Sequence, residues 1–376
     1  MVDLAMKPTI ASIVTCSLLV LNACGDNAAD APDAGAPAGD AGPDAPAAPP
    51  KPGITFFDYA IAVDISPDGR IAVFEDLRAA DTGVMVQDTI TGTVVEAATI
   101  DTPARSLVTG VSTNGRLSAM IGDVVQASVW SQGTGWQDLP SPYATHCDSD
   151  VGGAFDISAD GNAVAGMAWN GCTPAAVLWT GNTMTTLALL GSRASGGTPS
   201  NRASVISDDG TVLAGFAENG SIDRVPAIWS ATGAGRLLDE TMEMPGEVLS
   251  ISANGKTVAG IRGSDGFVWM LGTGFITLPR LEVNLPTDEM FPNAMSADGQ
   301  FVYGGIGSAF FTIPTAFVWS AADGTRALAD VVAAAGITLP ADTLLFSVLG
   351  ASADGKVLVG TAAIGEQTKT FTLRLP

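Results

Sequence analysis

Positive charge is scarce in this chain: 17 Lys and Arg stand against 39 Asp and Glu, for a formal net charge of -22, and only five of the cations are lysine. Binding a phosphate backbone requires clustered Lys and Arg, so a nucleic-acid partner is excluded. Histidine occurs once, at His146. That leaves no His-Glu-x-x-His metal motif, and there is no Gly-x-Ser-x-Gly nucleophile turn. The three tyrosines, Tyr59, Tyr143 and Tyr303, fall at unlike places in the pattern described below. No apolar run reaches the length a membrane-spanning helix needs. The acidity reads as a solubility feature of an exported protein.

The longest apolar run, Ile10 to Leu21 after Lys7, has the length of a signal-peptide core. It ends in Leu21-Asn22-Ala23-Cys24, which resembles the lipobox of bacterial lipoproteins and implies that Cys24 is lipidated and becomes the mature first residue. Residues 1–23 are therefore expected to be a signal peptide. Residues 24–53 are expected to be the lipidated cysteine and a disordered tether of Ala, Pro, Asp and Gly, too poor in apolar side chains to offset ordering entropy.

The remainder, residues 54–376, is built on repetition. Seven short phrases of the type Ile-Ser-Ala-Asp-Gly carry serines at Ser66, Ser112, Ser158, Ser207, Ser252, Ser296 and Ser352, spaced by 46, 46, 49, 45, 44 and 56 residues. Such a period, with strand-like sequence on both sides of each turn, predicts an all-β, seven-bladed β-propeller with four antiparallel strands per blade. In the third copy the strands are expected at 154–158, 163–168, 175–180 and 184–190. The last copy stops at its third strand, so the segment Ile54 to Tyr59 is predicted to close the seventh blade.

The repeated residues read first as structure. Ser66-Pro67-Asp68-Gly69 suits a type I turn closed by a left-handed glycine. One calcium ligand per blade is excluded by Asn114 and Asn254, which replace the aspartate. Trp130, Trp179, Trp229, Trp269 and Trp319 end the third strands as blade-to-blade packing residues. Gly166, Gly215, Gly260, Gly304 and Gly360 lie six residues beyond the turn acid, which suggests close backbone approach. Phe74 and Met120 take that place in the first two blades, which should be the least regular.

These units resemble the HAF-type extracellular repeats of bacterial exported proteins, with Ala316-Phe317-Val318-Trp319 the best match, and the Ser-Pro-Asp-Gly turn is also similar to TolB-like propeller repeats. The resemblance implies an envelope or cell-surface location and no shared reaction. The location expected is the outer membrane or surface of a Gram-negative bacterium, reached through the lipid anchor alone.

Strand alternation sorts the connections into two faces: short turns on one, and on the other the long segments 140–153, 191–202, 281–292 and 327–343. The last contains a helical pattern at 327–335. Cys147 and Cys172 both belong to the long-loop face and are expected to pair, closing a loop of about 25 residues worth roughly 3 kcal/mol. Zinc with His146 is the rival and lacks ligands. The candidate binding residues on this face are Tyr143, Trp169, Phe310 and Phe311, and the ligand is expected to be an envelope protein or a glycan. No cofactor is implied. Two other classes stand beside this non-catalytic one: a propeller hydrolase or lyase acting on glycans or lactones, and a surface spacer without a ligand.

Overall fold

The computed structural model describes residues 50–77, 81–100, 106–145, 147, 150–194, 196–220, 222–239, 244–308 and 312–376. Residues 1–49, which hold the expected signal peptide, Cys24 and nearly all of the expected tether, lie outside these, as do Phe310, Phe311 and His146.

Seven antiparallel four-stranded sheets follow one another along the chain. Blades 1 to 6 run from inner to outer strand in sequence order, starting at Ile61–Ile65, Leu107–Val111, Gly152–Ile157, Asn201–Ile206, Gly246–Ile251 and Glu289–Met295. Blade 7 takes Thr343–Ala351, Val357–Ile364 and Gln367–Arg374 from the C-terminus and its outer strand, Gly53–Phe57, from the N-terminal side. Closure is therefore the work of the first strand, which ends at Phe57 rather than Tyr59. Tyr59 instead joins Phe57 and Phe74 in an aromatic trio, with ring centroids 5.0 to 5.7 Å apart, that ties the closing strand to blade 1.

Short, doubly apolar strands cannot bury both faces within one sheet, so burial happens between sheets. The core falls into seven apolar clusters, one for each blade-to-blade interface. Trp179 and Trp229 are buried there, and their indole N–H groups donate to the carbonyls of Pro140 and Ala188 at the edge of the preceding blade, both at 2.8 Å. The packing role of the repeated tryptophan follows from this geometry.

Each inner strand joins the next through the repeated turn. The serine hydroxyl donates to the turn acid or amide at 2.6 to 3.1 Å in all seven copies. Every inner strand also carries a β-bulge three residues before that serine or beside it. The bulge explains the recurrent glycine on the second strand. A Cβ at Gly166, Gly215, Gly260, Gly304 or Gly360 would lie 1.8 to 2.2 Å from a carbonyl oxygen of the bulged strand. Blade 1 has Phe74 there. In blade 2 the turn closes one residue earlier, with Arg116 rather than a sixth residue bonded to the serine, so Ala119 and not Met120 occupies the place. The one α-helix among the described residues, Leu328–Ala334, packs Leu328 and Val332 into the interface of blades 6 and 7.

Candidate functional site

Bulging turns one side chain per blade toward the axis. Val63, Thr109, Phe155, Ser204, Leu249, Asn293 and Leu349, each three residues before its turn serine, line a central cavity of about 210 Å³. That volume is below the roughly 300–1,000 Å³ of small-molecule sites. The channel is accordingly a narrow bore, not a substrate chamber.

The next residue along the inner strand is an aspartate in two blades, and each reaches across to the following blade. Asp64 accepts the Val111 N–H at 3.2 Å, linking blade 1 to blade 2, and Asp156 accepts the Ile206 N–H at 2.8 Å, linking blade 3 to blade 4. Burial at the turn-face end of the bore raises the Asp64 carboxyl to about 7. Burial, followed by the nearby Asp64 charge, pushes Asp156 well above the carboxylate range. Asp208 is raised by burial and then by Asp209. Glu75, which accepts the Val108 N–H at 2.6 Å, also rises to about 7 through burial. Asp64, Asp156 and Glu75 act as interblade staples. Among the described residues no three His, Cys, Asp or Glu lie together as metal ligands.

The opposite, long-loop face is less regular. Cys147 and Cys172 form a disulfide there, fastening the connection into blade 3 to that blade's own hairpin. Tyr143 is half-buried against the interface of blades 2 and 3, and its hydroxyl shares a hydrogen bond with Thr186 at 2.9 Å. Trp169 requires a correction. It belongs to the strand Ala163–Asn170, paired with Pro174, and is buried rather than displayed on a loop. The strand runs two residues further than its apolar pattern suggested, because the tight Gly171 hairpin lets pairing continue to Asn170.

Sequence reasoning missed what lies between blades 4 and 5. Arg202, expected in a loop, opens the inner strand of blade 4 with its side chain buried. Its guanidinium lies between the rings of Phe155 and Phe216, 4.6 and 4.9 Å from their centroids, and Arg224 covers Phe216 at 4.5 Å. Buried Glu247 of blade 5 receives Arg202 and Ser204 on one oxygen and Arg224 on the other. Burial alone would raise Glu247; the two guanidinium groups hold it below its ordinary value. Arg202 and Phe216 are direct cross-strand partners, a pairing visible only once the register is known.

Exposed apolar side chains are also unevenly placed. Of the ten large ones among the described residues, Leu77, Val124, Leu189, Met244, Val283, Leu285 and Leu344 lie at the long-loop end of the blades, against Ile90 and Leu271 at the turn end and Val95 on an outer strand. Beside Met244 a surface groove of about 340 Å³ runs past Arg262, Asp265 and Phe275.

No protein-family model matches the chain, and no curated protein matches its sequence. Solved structures do. The oligogalacturonate lyase of Vibrio parahaemolyticus superposes with a TM-score of 0.53 at 12% identity, covering 85% of this chain and 90% of that one. The Cps50 (Swd1) β-propeller domain of Myceliophteria thermophila gives 0.52 at 13%, over 86% and 99%. Hydrazine synthase of Kuenenia stuttgartiensis gives 0.51 at 16%, over 83% and 94%. At such identities the likeness is one of fold. The chain is a seven-bladed β-propeller, and similar architectures carry both binding and catalytic roles.

Proposed function

We propose that this chain is an exported lipoprotein of the HAF-repeat kind, anchored through Cys24, whose propeller docks a protein partner on its long-loop face without catalysing a reaction. One observation carries the reading. Seven of the ten exposed large apolar side chains among the described residues lie on that face, distributed over successive connections around the ring, so a partner broad enough to span the face could engage several of them as separate anchors. The groove at Met244 and Phe275 would take an anchoring side chain. The small volume of the bore argues against substrate binding on the axis.

Two measurements test the parts separately. Metabolic labelling with a fatty acid should mark the wild-type protein and not Cys24→Ser; equal labelling would remove the anchor. In pull-downs from envelope extracts, Leu189→Ser, Met244→Ser and Val283→Ser together should lose the captured protein, while the turn-face pair Ile90→Ser and Leu271→Ser retains it. The reverse pattern would assign docking to the wrong face.

A further inference from the structure

Phe155 of blade 3 and Arg202, Phe216 and Arg224 of blade 4 form four layers in alternation, running outward from the bore beside Glu247 of blade 5. We propose that the outermost layer, Arg224, is a binding site for a carboxylate, which the docking partner presents as an acidic side chain.

Three features lead to this. Glu247 supplies one negative charge against two guanidinium groups, so the cluster keeps a net charge of +1 inside a chain of net charge -22. Both Glu247 oxygens are already occupied, one by Arg202 and Ser204 and one by Arg224. Among the described residues no further carboxylate pairs with Arg202 or Arg224 to neutralise the excess. Arg224 gives only Nη1 to Glu247, at 3.1 Å, and its side chain is 32% exposed. Its Nε and Nη2 donors, which form one edge of the guanidinium fork, have no acceptor among the described residues. Two parallel donors in a plane match a carboxylate in bidentate fashion.

Preorganisation adds the third feature. Phe216 supports Arg224 from behind and Glu247 fixes its far edge, so little side-chain entropy remains to be lost on binding. Arg202 cannot be the contact itself: it is buried between two rings and serves as a positioning residue that holds Glu247 and Phe216 in place. The source of the carboxylate rests on the protein-docking reading above; the site does not.

The test uses the purified full chain with arginine labelled for NMR of the guanidinium N–H groups. The probes are N-acetylglutamate amide and its neutral isostere N-acetylglutamine amide, with glucuronate as a third arm. The glutamate probe should shift one arginine signal saturably, and that signal should vanish in Arg224→Gln. Arg224→Lys keeps the charge without the fork and should weaken binding about tenfold or more. Equal shifts with the glutamine probe, no saturable shift with any probe, or wild-type binding by Arg224→Lys would overturn the site. Saturation by glucuronate alone would overturn the assignment to an acidic side chain. Saturation by the glutamate probe in a protein whose loop-face variants still capture their partner would keep the carboxylate site and reject the docking face.

Discussion

The two ends of the propeller are made by different rules. At the turn end, seven similar turns repeat one set of hydrogen bonds, and in six of them an N–H one or two residues after the turn serine reaches the neighbouring turn. Thr113 donates to Ala159, Ala159 to Asp208, Asp209 to Ala253, Ala253 to Ala297, Ala297 to Ala353 and Ala353 to Pro67, at 2.7 to 3.3 Å. At the loop end four blades share a two-residue hairpin opened by a left-handed glycine, Gly171, Gly220, Gly263 or Gly365, but the connections from one blade to the next differ, and there lie the disulfide, the helix, the arginine stack and most exposed apolar groups. Repetition occupies the end where blades must meet one another. Individual chemistry accumulates where the chain only has to return, since surface connections tolerate change that a shared interface does not.

The largest effect should come from breaking the ring that both ends share. Removing residues 53–57 strips the outer strand from blade 7 and is expected to abolish cooperative unfolding; calorimetry showing a wild-type transition would disprove closure by this strand. Next comes the contrast between two glycines. Gly304→Ala would place a Cβ 1.8 Å from the Phe291 carbonyl, whereas Gly324→Ala meets open space in a left-handed turn. The first should cost about 3 kcal/mol or more and the second about 1 kcal/mol in denaturant melts; similar losses would mean that backbone approach does not select the glycine. Reducing Cys147–Cys172 should lower stability by roughly 3 kcal/mol. An unchanged denaturation midpoint under reductant, or two free thiols by alkylation mass spectrometry, would contradict the loop-face clasp.

Protonation gives an effect that belongs to the blade 1 staples. The folded carboxyls of Asp64 and Glu75 sit near 7, above their unfolded values of 3.8 and 4.5, so the folded state binds more protons between these limits. Their contribution is complete below about pH 4, declines as pH rises and is gone above about pH 7. The melting temperature should therefore be higher at pH 5 than at pH 8, and Asp64→Asn with Glu75→Gln should flatten that slope. A double variant with the wild-type pH profile would assign the dependence elsewhere. Pro67→Ala should change least, within about 0.5 kcal/mol, because a new N–H bond to the Thr113 carbonyl offsets the freer unfolded chain. Amide exchange at position 67 measures it directly, and an unprotected amide there would show that no bond forms.

Much of this architecture is legible in local phrases. Ser-x-Asp-Gly encodes its own turn, and the missing fourth strand of the last copy points to the first strand as its replacement. Side-chain direction at the loop end is not encoded so locally. Trp169 and Arg202 look like loop residues because they flank glycines and small polar residues, yet register places both in strands and buries them. The channel-lining residues could have been found, since each stands three before a turn serine. Six residue types fill the seven places, with only leucine used twice, so a search for recurring residue types passes over them.

The peptide ring at the turn end also has a direction. Every bond runs from one blade to its successor, and the circuit lacks one link: Pro67 accepts from blade 7 but has no N–H to pass on to blade 2. The annulus is therefore a string with two ends, and its gap falls between blades 1 and 2, one interface away from the strand that closes the sheet. A molecule pulled open or fraying with heat thus has two different clasps to lose, one made of a whole strand and one in which the side-chain carboxyls of Asp64 and Glu75 bridge blades 1 and 2 where the peptide bond is absent.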